Sequence, residues 1–234
     1  MESLNIIDDE IKQKATNAYI STGIFADSLI INELFPYFEG LYHLAIKNPN
    51  CNFEIRSKID NINNIKRNNA NCNNIIFTWS LTPQFITSNL EKGTSSLEKR
   101  LIAAISIIEK GYRLAFHFDP IIYYPNYETD YHELIKYLAQ KIPSDKISFI
   151  TLGTLRFPQP FFEIIKKQYN DHWLFQIEFV PIYKNTYSYL RFIRINLYKS
   201  IVYLLRNYLS NDCPIYIMEE DKSFYLLKQN NHQQ

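Results

Sequence analysis

A strand-like stretch in the middle of the chain carries two side chains that could take part in chemistry. The run "YRLAFHFDPII" (112–122) is mostly apolar, yet it contains His117 and, two residues later, Asp119. Because side chains alternate along a strand, we expect both on the same side. An acid at a strand end could orient a ligand hydroxyl or ammonium group, or pair with Arg156. The alternative is a turn acid that caps the following loop.

Metal chemistry has little support in the sequence. A lone histidine on a strand, such as His117, is more often packed or hydrogen-bonded than a ligand, and no partner stands at metal-ligand spacing beside it. Cys51, Cys72 and Cys213 are scattered, with no C-x-x-C pair, so neither a disulfide framework nor a metal site is expected. Reduced thiols of a cytoplasmic protein are the simplest interpretation.

Two polar stretches have spacing that suggests phosphate binding. "GTSSLEK" (93–99) places glycine and hydroxyls before a helix, but it lacks the P-loop pattern, and a capping box of Ser95 and Glu98 explains it better. The tyrosine-rich segment "YKNTYSYLRFIR" (183–194) interleaves aromatic and basic residues. It is either a stacking surface for single-stranded nucleic acid or the ordinary start of an amphipathic helix.

Composition sets broad limits on the function. The 234 residues are 46% hydrophobic and carry a net charge of +1, so no overall field attracts nucleic acid or a membrane. The first residues, "MESLNIIDDEIKQ", are acidic and lack the apolar core of a secretory signal. No uncharged apolar run approaches 18 residues, so we expect no membrane span and a cytoplasmic location.

The elements that must position these residues alternate between strand and helix. Strands are predicted over 15–20, 53–58, 75–81, 112–118, 147–153 and 214–218, and a further one over "WLFQIEF" (173–179). Helices are predicted over 28–46, 61–65, 96–110, 131–142, 159–169 and 190–209. This alternation predicts an α/β fold with a parallel sheet, open or curled into a partial barrel. Ligand-binding groups are then expected where the strands end.

Several stretches resemble one family in order, namely the spore photoproduct lyases and their relatives among radical S-adenosylmethionine proteins. The stretches are "STGIFADSL" (21–29), "FEIRSKIDNI" (53–62), "FTWSLTPQFI" (77–86), "EKGTSSLEKRLIAAISIIEKGYRLAFHFDPII" (91–122), "ISFITLGTLRFP" (147–158) and "EFVP" (178–181). The most specific part is the block E-x-G-T-x-x-L-x-x-R-L-x-A-A, which is followed by G-Y and F-D-P-I.

The resemblance implies a partial (βα)₆ barrel that binds a [4Fe-4S] cluster and S-adenosylmethionine. In the family, a C-x-x-x-C-x-x-C loop after the first strand holds the cluster, and a 5′-deoxyadenosyl radical reverses a thymine–thymine adduct in DNA. Lys58 and Ser80 match positions that contact S-adenosylmethionine. Ser21 matches the hydrogen-donating cysteine of the lyase, and Tyr189 the tyrosine of an Arg-Tyr pair near the lesion, where this chain has Ser188.

This sequence departs from the family pattern at the cluster. It contains no C-x-x-x-C-x-x-C, and Ile24 replaces an acid found in many relatives. The resemblance therefore predicts a barrel that lacks its first βα unit, with a tail over 1–14, the truncated barrel over 15–226 and a disordered tail over 227–234.

Three hypotheses follow for the function. The first is a lyase-family chain that is inactive alone, with DNA as a possible partner. It would be the partner of a separately encoded cluster-binding half, the product of a decaying gene or a fragmentary gene model. The second is a non-catalytic nucleoside or single-stranded nucleic-acid binding module derived from that fold. Its candidate rim residues are His117, Asp119, Arg156 and Tyr189, together with Lys58 and Ser80. A third, weaker one is cluster-independent enzymology at Asp119 and His117.

Overall fold

A computed structural model describes residues 2–14, 17–23, 27–70 and 72–218 of the chain. The expectations about Ile24 and about the tail at 227–234 lie outside these residues. None of the described helices combines the length and apolar character needed to cross a bilayer.

The described strands form two sheets. In chain order they are β1 (Tyr19–Thr22), β2 (Asn52–Ser57), β3 (Ile75–Ser80), β4 (Arg113–Ile121), β5 (Ile147–Thr154), β6 (Arg156–Pro158), β7 (Phe179–Ile182), β8 (Thr186–Tyr189) and β9 (Ile215–Ile217). The main sheet has the order β1-β2-β3-β4-β5-β9, and all of its pairs are parallel. It is curled into a half-barrel. The second sheet, β6-β8-β7, is antiparallel.

Helices lie in four of the five crossovers between the parallel strands, and one helix precedes the first strand; the crossover from β2 to β3 contains no helix in its described residues. The helices are α1 (Glu2–Lys14), α2 (Ser28–Leu34), α3 (Tyr37–Lys47), α4 (Gln84–Leu90), α5 (Leu97–Glu109), α6 (Tyr127–Lys141), α7 (Gln159–Gln168) and α8 (Arg191–Tyr208). Short 3₁₀ helices span Ser144–Lys146, Trp173–Phe175 and Tyr183–Asn185. The predicted α/β alternation and partial barrel are confirmed.

The two faces of the main sheet differ in chemistry because side chains alternate along each strand. One face is apolar and packs against the helices in the core; it includes Phe53, Ile55, Phe77, Trp79, Phe116, Phe118 and Leu152. The opposite face, the concave side of the half-barrel, carries buried polar side chains on adjacent strands; these are Glu54, Thr78, Ser80, His117 and Thr151. The fold therefore presents a polar interior, as a site for a polar ligand requires.

Several predicted elements are wrong in detail. The helix predicted over 28–46 is two helices separated at Phe35 and Pro36, because proline has no N–H to continue the first helix. The stretch 61–65 contains no helix. The cap of α5 is Ser96, which accepts from the N–H of Lys99. Ser95, predicted for that role, donates its hydroxyl to Asp60 instead.

The sequence analysis did not predict the second sheet. The strand predicted over 173–179 begins only at Phe179 and follows a 3₁₀ helix. The sheet packs on α7 through a cluster of rings, in which Phe162 stacks on Tyr187 with centroids 4.3 Å apart and planes 10° apart. Phe157 and Phe175 complete the cluster. These aromatic contacts fix the second sheet beside the carboxyl end of β5.

The first described residues form a helix. In α1, Leu4 and Ile11 are buried, and Leu4 packs so closely against Gly40 of α3 that a Cβ there would clash with it. β1 is the terminal strand of the sheet, and Tyr19 on it is 52% exposed. Within the described residues, β1 pairs with β2 alone.

Candidate functional site

The predicted rim residues gather at the carboxyl ends of the strands. Lys58 directly follows β2, Ser80 ends β3, and Asp119 lies near the end of β4. Arg156 begins β6, two residues after β5 ends. Parallel strands bring these ends to one edge of the sheet, so residues far apart in sequence share a rim.

Asp119 and Arg156 form a two-pronged ion pair across the rim. Arg156 Nη1 donates to Asp119 Oδ1 at 3.1 Å, and Nη2 donates to Oδ2 at 2.9 Å. This pairing was one of the alternatives from the sequence, and the structure confirms it. Gly153 lies close by, and a Cβ there would be 2.7 Å from both Asp119 Cγ and Arg156 Nη1. The absence of a side chain at Gly153 therefore makes room for the pair.

Lys58 is held by a carboxylate that the sequence analysis did not identify. Its Nζ lies 2.5 Å from Oε1 of Glu91, while Oε2 of the same side chain lies 2.6 Å from Nη2 of Arg100. Burial alone would raise the pKa of Glu91, but the neighbouring charges of Lys58 and Arg100 outweigh it and lower that pKa. Glu91 therefore stays ionised at neutral pH.

Arg100 connects this ion pair to the end of β3. The side chain is fully buried, and its Nη1 donates to the carbonyl oxygen of Ser80 at 2.7 Å. Its Nε donates to the carbonyl of Ser95, and Nη2 also donates to the hydroxyl of Thr94. A signal for this role existed in the sequence, because Arg100 lies between apolar positions of the α5 stripe that faces the core.

A second polar cluster lies one level deeper on the concave face. The carboxylate of Glu54 accepts a hydrogen bond from the Thr78 hydroxyl at 2.8 Å and another from Nε2 of His117. Nδ1 of His117 contacts the Thr151 hydroxyl, and Nη2 of Arg56 lies 3.6 Å from Glu54 Oε1. His117 is thus a buried, hydrogen-bonded histidine, as the more conservative interpretation held.

The pKa of Glu54 in this cluster is strongly shifted, and two buried polar atoms nearby lack a well-formed hydrogen bond within the described residues. Burial would raise the pKa of Glu54, but the hydrogen bond and charge of His117 outweigh it and lower that pKa to about 2. Two buried polar atoms on this side of β1 and β2, Ser21 Oγ and Arg56 Nε, form no hydrogen bond of good geometry in the described structure, although Ser21 lies close enough to Glu54 to help lower its pKa. Such atoms fit an interior that accommodates a polar ligand or water.

Several side chains of the tyrosine-rich segment pack against other parts of the chain. Tyr189 is fully buried, and its hydroxyl accepts from the N–H of Tyr123 at 3.1 Å. Tyr187 stacks on Phe162, and the buried Arg194 donates to the carbonyl of Tyr189. These side chains therefore hold the second sheet and α8 together. The stacking surface and the role of Tyr189 near a lesion stay predictions.

The three cysteines do not fit an iron–sulfur cluster at the rim. Cys51, Cys72 and Cys213 are all buried, and each lies just before a strand, at the amino ends of β2, β3 and β9. A six-residue strand is roughly 17–20 Å long, so the thiols lie at the opposite edge of the sheet from Lys58. Burial also raises the pKa of the Cys72 and Cys213 thiols, which disfavours the thiolate that iron needs. Nor does any group of three or more potential metal ligands occur in the part of the chain that the structure describes.

Comparison with known proteins identifies the family. The family model described as spore photoproduct lyase matches residues 27–192, more than half of the chain. The chain belongs to the spore photoproduct lyase family. The spore photoproduct lyase of Bacillus subtilis is 34% identical over 95 residues, which are 40% of this chain and 28% of that protein. The protein of the same name from Geobacillus sp. is 32% identical over 95 residues, with the same coverage of each chain.

Solved structures of the family share the fold. A spore photoproduct lyase variant with bound AdoMet and dinucleoside spore photoproduct superimposes with a TM-score of 0.79 and 18% identity. The match covers 92% of this chain and 65% of that one. A complex with the dinucleoside spore photoproduct gives the same TM-score, with 19% identity over 92% of this chain and 66% of that one. The aligned region thus spans less than a third of the curated relatives and about two thirds of the solved chains.

Proposed function

We propose that this chain provides the S-adenosylmethionine- and lesion-binding half-barrel of a radical lyase that acts on a DNA photoproduct. Family membership supports the reaction class, and related structures hold AdoMet and the dinucleoside spore photoproduct. The observation that carries the proposal is the position of Lys58 and Ser80. They lie at the ends of adjacent strands, and Glu91 and Arg100 connect them.

The rim chemistry suits the amino-acid end of S-adenosylmethionine. A lysine ammonium group has three N–H donors, and Glu91 accepts one of them from Lys58, so others can reach a ligand carboxylate. Lys58, Glu91 and Arg100 together carry two positive charges and one negative charge, which leaves a net attraction for an anion. The polar concave face around Ser21 and Arg56 would accommodate the rest of the ligand.

Radical generation requires iron ligands other than the three cysteines of this sequence. When S-adenosylmethionine is bound to a reduced cluster, it supplies the radical chemistry of the family. Because Cys51, Cys72 and Cys213 lie at the wrong edge of the sheet, we propose that the cluster is held by polypeptide other than these 234 residues, in the same protein or in a separate one. The outer side of β1 is the edge to which such a segment would add a parallel strand.

The residue at the hydrogen-donor position also changes the chemistry. Ser21 stands where the resemblance expects a cysteine, and a serine O–H is too strong to donate a hydrogen atom as a thiol does. A lesion-reversing reaction on this barrel would therefore use a different hydrogen donor. DNA as the partner and the identity of the lesion belong to this proposal as well.

Ligand binding by the isolated chain tests the proposal. Equilibrium dialysis with labelled S-adenosylmethionine should detect saturable binding that Lys58→Met weakens by about tenfold, as expected when a charge-assisted hydrogen bond is lost. The matched control is Lys99→Met, because Lys99 is an exposed lysine on α5 whose ammonium group lies outside this network. Equal affinities for the wild type and Lys58→Met would reject the assignment of the cofactor site.

Iron reconstitution tests the second part of the proposal. Anaerobic incubation of the isolated chain with ferrous iron and sulfide should leave no stoichiometric [4Fe-4S] absorbance or reduced-state resonance. A stoichiometric cluster on this chain would contradict the proposal that other polypeptide supplies the ligands.

A further inference from the structure

Arg100 is the most deeply buried cation of the described structure, and the hydrogen bonds of its side chain lead to the rim. Its side chain is 0% exposed, and it uses its planar fork to bind two backbone carbonyls, the Thr94 hydroxyl and the Glu91 carboxylate. Burying a guanidinium group costs free energy unless its N–H groups are hydrogen-bonded and its charge is paired, as they are here. All of these hydrogen bonds are made to groups in the region around Lys58 and Ser80.

Lys58 is fixed through its main chain as well as its side chain. Its N–H donates to Asp27 at 2.7 Å, and its carbonyl accepts from the N–H of Ser95 at 3.0 Å. Ser95 in turn is the residue whose own carbonyl binds Arg100. The lysine is therefore anchored at three points, and two of them depend on the segment that Arg100 organises.

The charges of the group have a consequence for binding. Without Arg100, Glu91 would neutralise Lys58 and would repel an incoming carboxylate. With Arg100, the negative charge of Glu91 is shared between two cations, and the group keeps a net charge of +1 although Lys58 is ion-paired. Lys58 is the most exposed member, with 31% of its side chain exposed against 9% for Glu91 and 0% for Arg100, so the surplus positive charge is presented at the rim.

We propose that Arg100, acting through Glu91, is the positioning and charge-compensating residue that enables Lys58 to receive a ligand carboxylate. The inference rests on the proposed function, because the carboxylate is that of S-adenosylmethionine. It assigns a role to the glutamate and arginine of the sequence block E-x-G-T-x-x-L-x-x-R. The block acts on the ligand only through Lys58 and the Ser80 end of β3.

A pair of ligands separates this role from simple structural support. S-adenosylmethionine and its decarboxylated form share the adenosine, the sulfonium and the amine, and differ in the carboxylate. The ratio of their dissociation constants therefore reports carboxylate recognition, whereas a damaged fold weakens both ligands together. We expect Arg100→Met to reduce this ratio by about tenfold while the affinity for the decarboxylated ligand stays the same.

A charge-restoring double variant makes the test sharper. Arg100→Met leaves Lys58 and Glu91 with no net charge, and adding Glu91→Gln restores a net charge of +1. We expect the double variant to recover part of the lost discrimination, and Glu91→Gln alone to keep the wild-type discrimination or to exceed it. Far-ultraviolet circular dichroism checks that each variant is folded, and Glu91→Gln keeps the test decisive if Arg100→Met does not fold.

The outcomes distinguish this inference from the proposed function. An unchanged ratio in a folded Arg100→Met variant, or a loss of discrimination in Glu91→Gln, would overturn the role of Arg100 alone. If Lys58→Met retains the wild-type ratio, the cofactor site itself is wrong. If the wild-type chain binds neither ligand, both proposals fall.

Discussion

Arg156 and Asp119 are joined by two parallel hydrogen bonds of 3.1 and 2.9 Å, and the pair links the end of β4 to the first residue of β6. Gly153 lies so close that any side chain on it would meet the pair at 2.7 Å. The ion pair is thus one polar connection between the half-barrel and the second sheet, and one glycine makes it possible.

We expect Gly153→Ala to lower the free energy of unfolding by about 1–3 kcal/mol, because the added methyl group displaces the ion pair. In an Asp119→Ala background the same substitution should be milder, since two of the three atoms that the methyl group would meet, both on Asp119, are gone. Urea denaturation of the two single variants and the double variant gives the interaction energy, expected at about 0.5–3 kcal/mol. Strictly additive changes in the free energy of unfolding would show that the methyl group does not act by displacing the ion pair.

Glu54 should make the protein sensitive to acid. Its pKa in the folded chain is about 2, below the ordinary 4.5, so the folded state binds this proton less readily than the unfolded chain does. Its stabilising contribution is therefore complete above about pH 4.5 and is lost as the pH falls towards 2.

The variant Glu54→Gln should lower the free energy of unfolding by about 1–3 kcal/mol at pH 7. The difference from the wild type should shrink as the pH falls from 4.5 towards 2. Denaturant unfolding at a series of pH values measures this, and Glu98→Gln, at an exposed position on α5, is the matched control. A difference that does not change with pH would contradict the assigned cause.

The three thiols should be unreactive in the native protein. Cys51, Cys72 and Cys213 are at most 6% exposed, and burial raises the pKa of the last two. We expect their reaction with a disulfide reagent to be about 100-fold slower than in the guanidinium-unfolded chain, because each must wait for an opening of the structure. If a thiol reacts with the reagent immediately in the native state, that cysteine lies on the surface instead.

The ring stack in the second sheet offers a test of packing. Phe162 is buried against Tyr187, whereas its neighbour Phe161 is 62% exposed. We expect Phe162→Ala to lower the free energy of unfolding by about 3–5 kcal/mol and Phe161→Ala by no more than about 0.5 kcal/mol. Thermal or urea unfolding compares the two, and equal losses would refute the described packing of α7.

The sequence predicted those parts of the site that depend on local pattern. Strand alternation placed Asp119 at a rim, with Arg156 as a possible partner, and the isolated His117 was expected to be hydrogen-bonded. Glu54 was missed, although a charged residue within the otherwise apolar strand "FEIRS" is a signal of a polar face. The second sheet was missed because its strands have only three or four residues and two of them contain proline, which weakens the strand pattern.

By itself, the sequence determined the alternation of strands and helices in the main sheet, the family and the positions where its strands end, because periodicity and motif blocks are local features of the chain. Only the tertiary structure decided that Glu91 bridges Lys58 and Arg100, that Glu54 meets His117, and that the thiols lie at the opposite edge from the rim. These relationships join residues from different strands and helices, and they exist only after the parallel sheet has curled and brought its strand ends together.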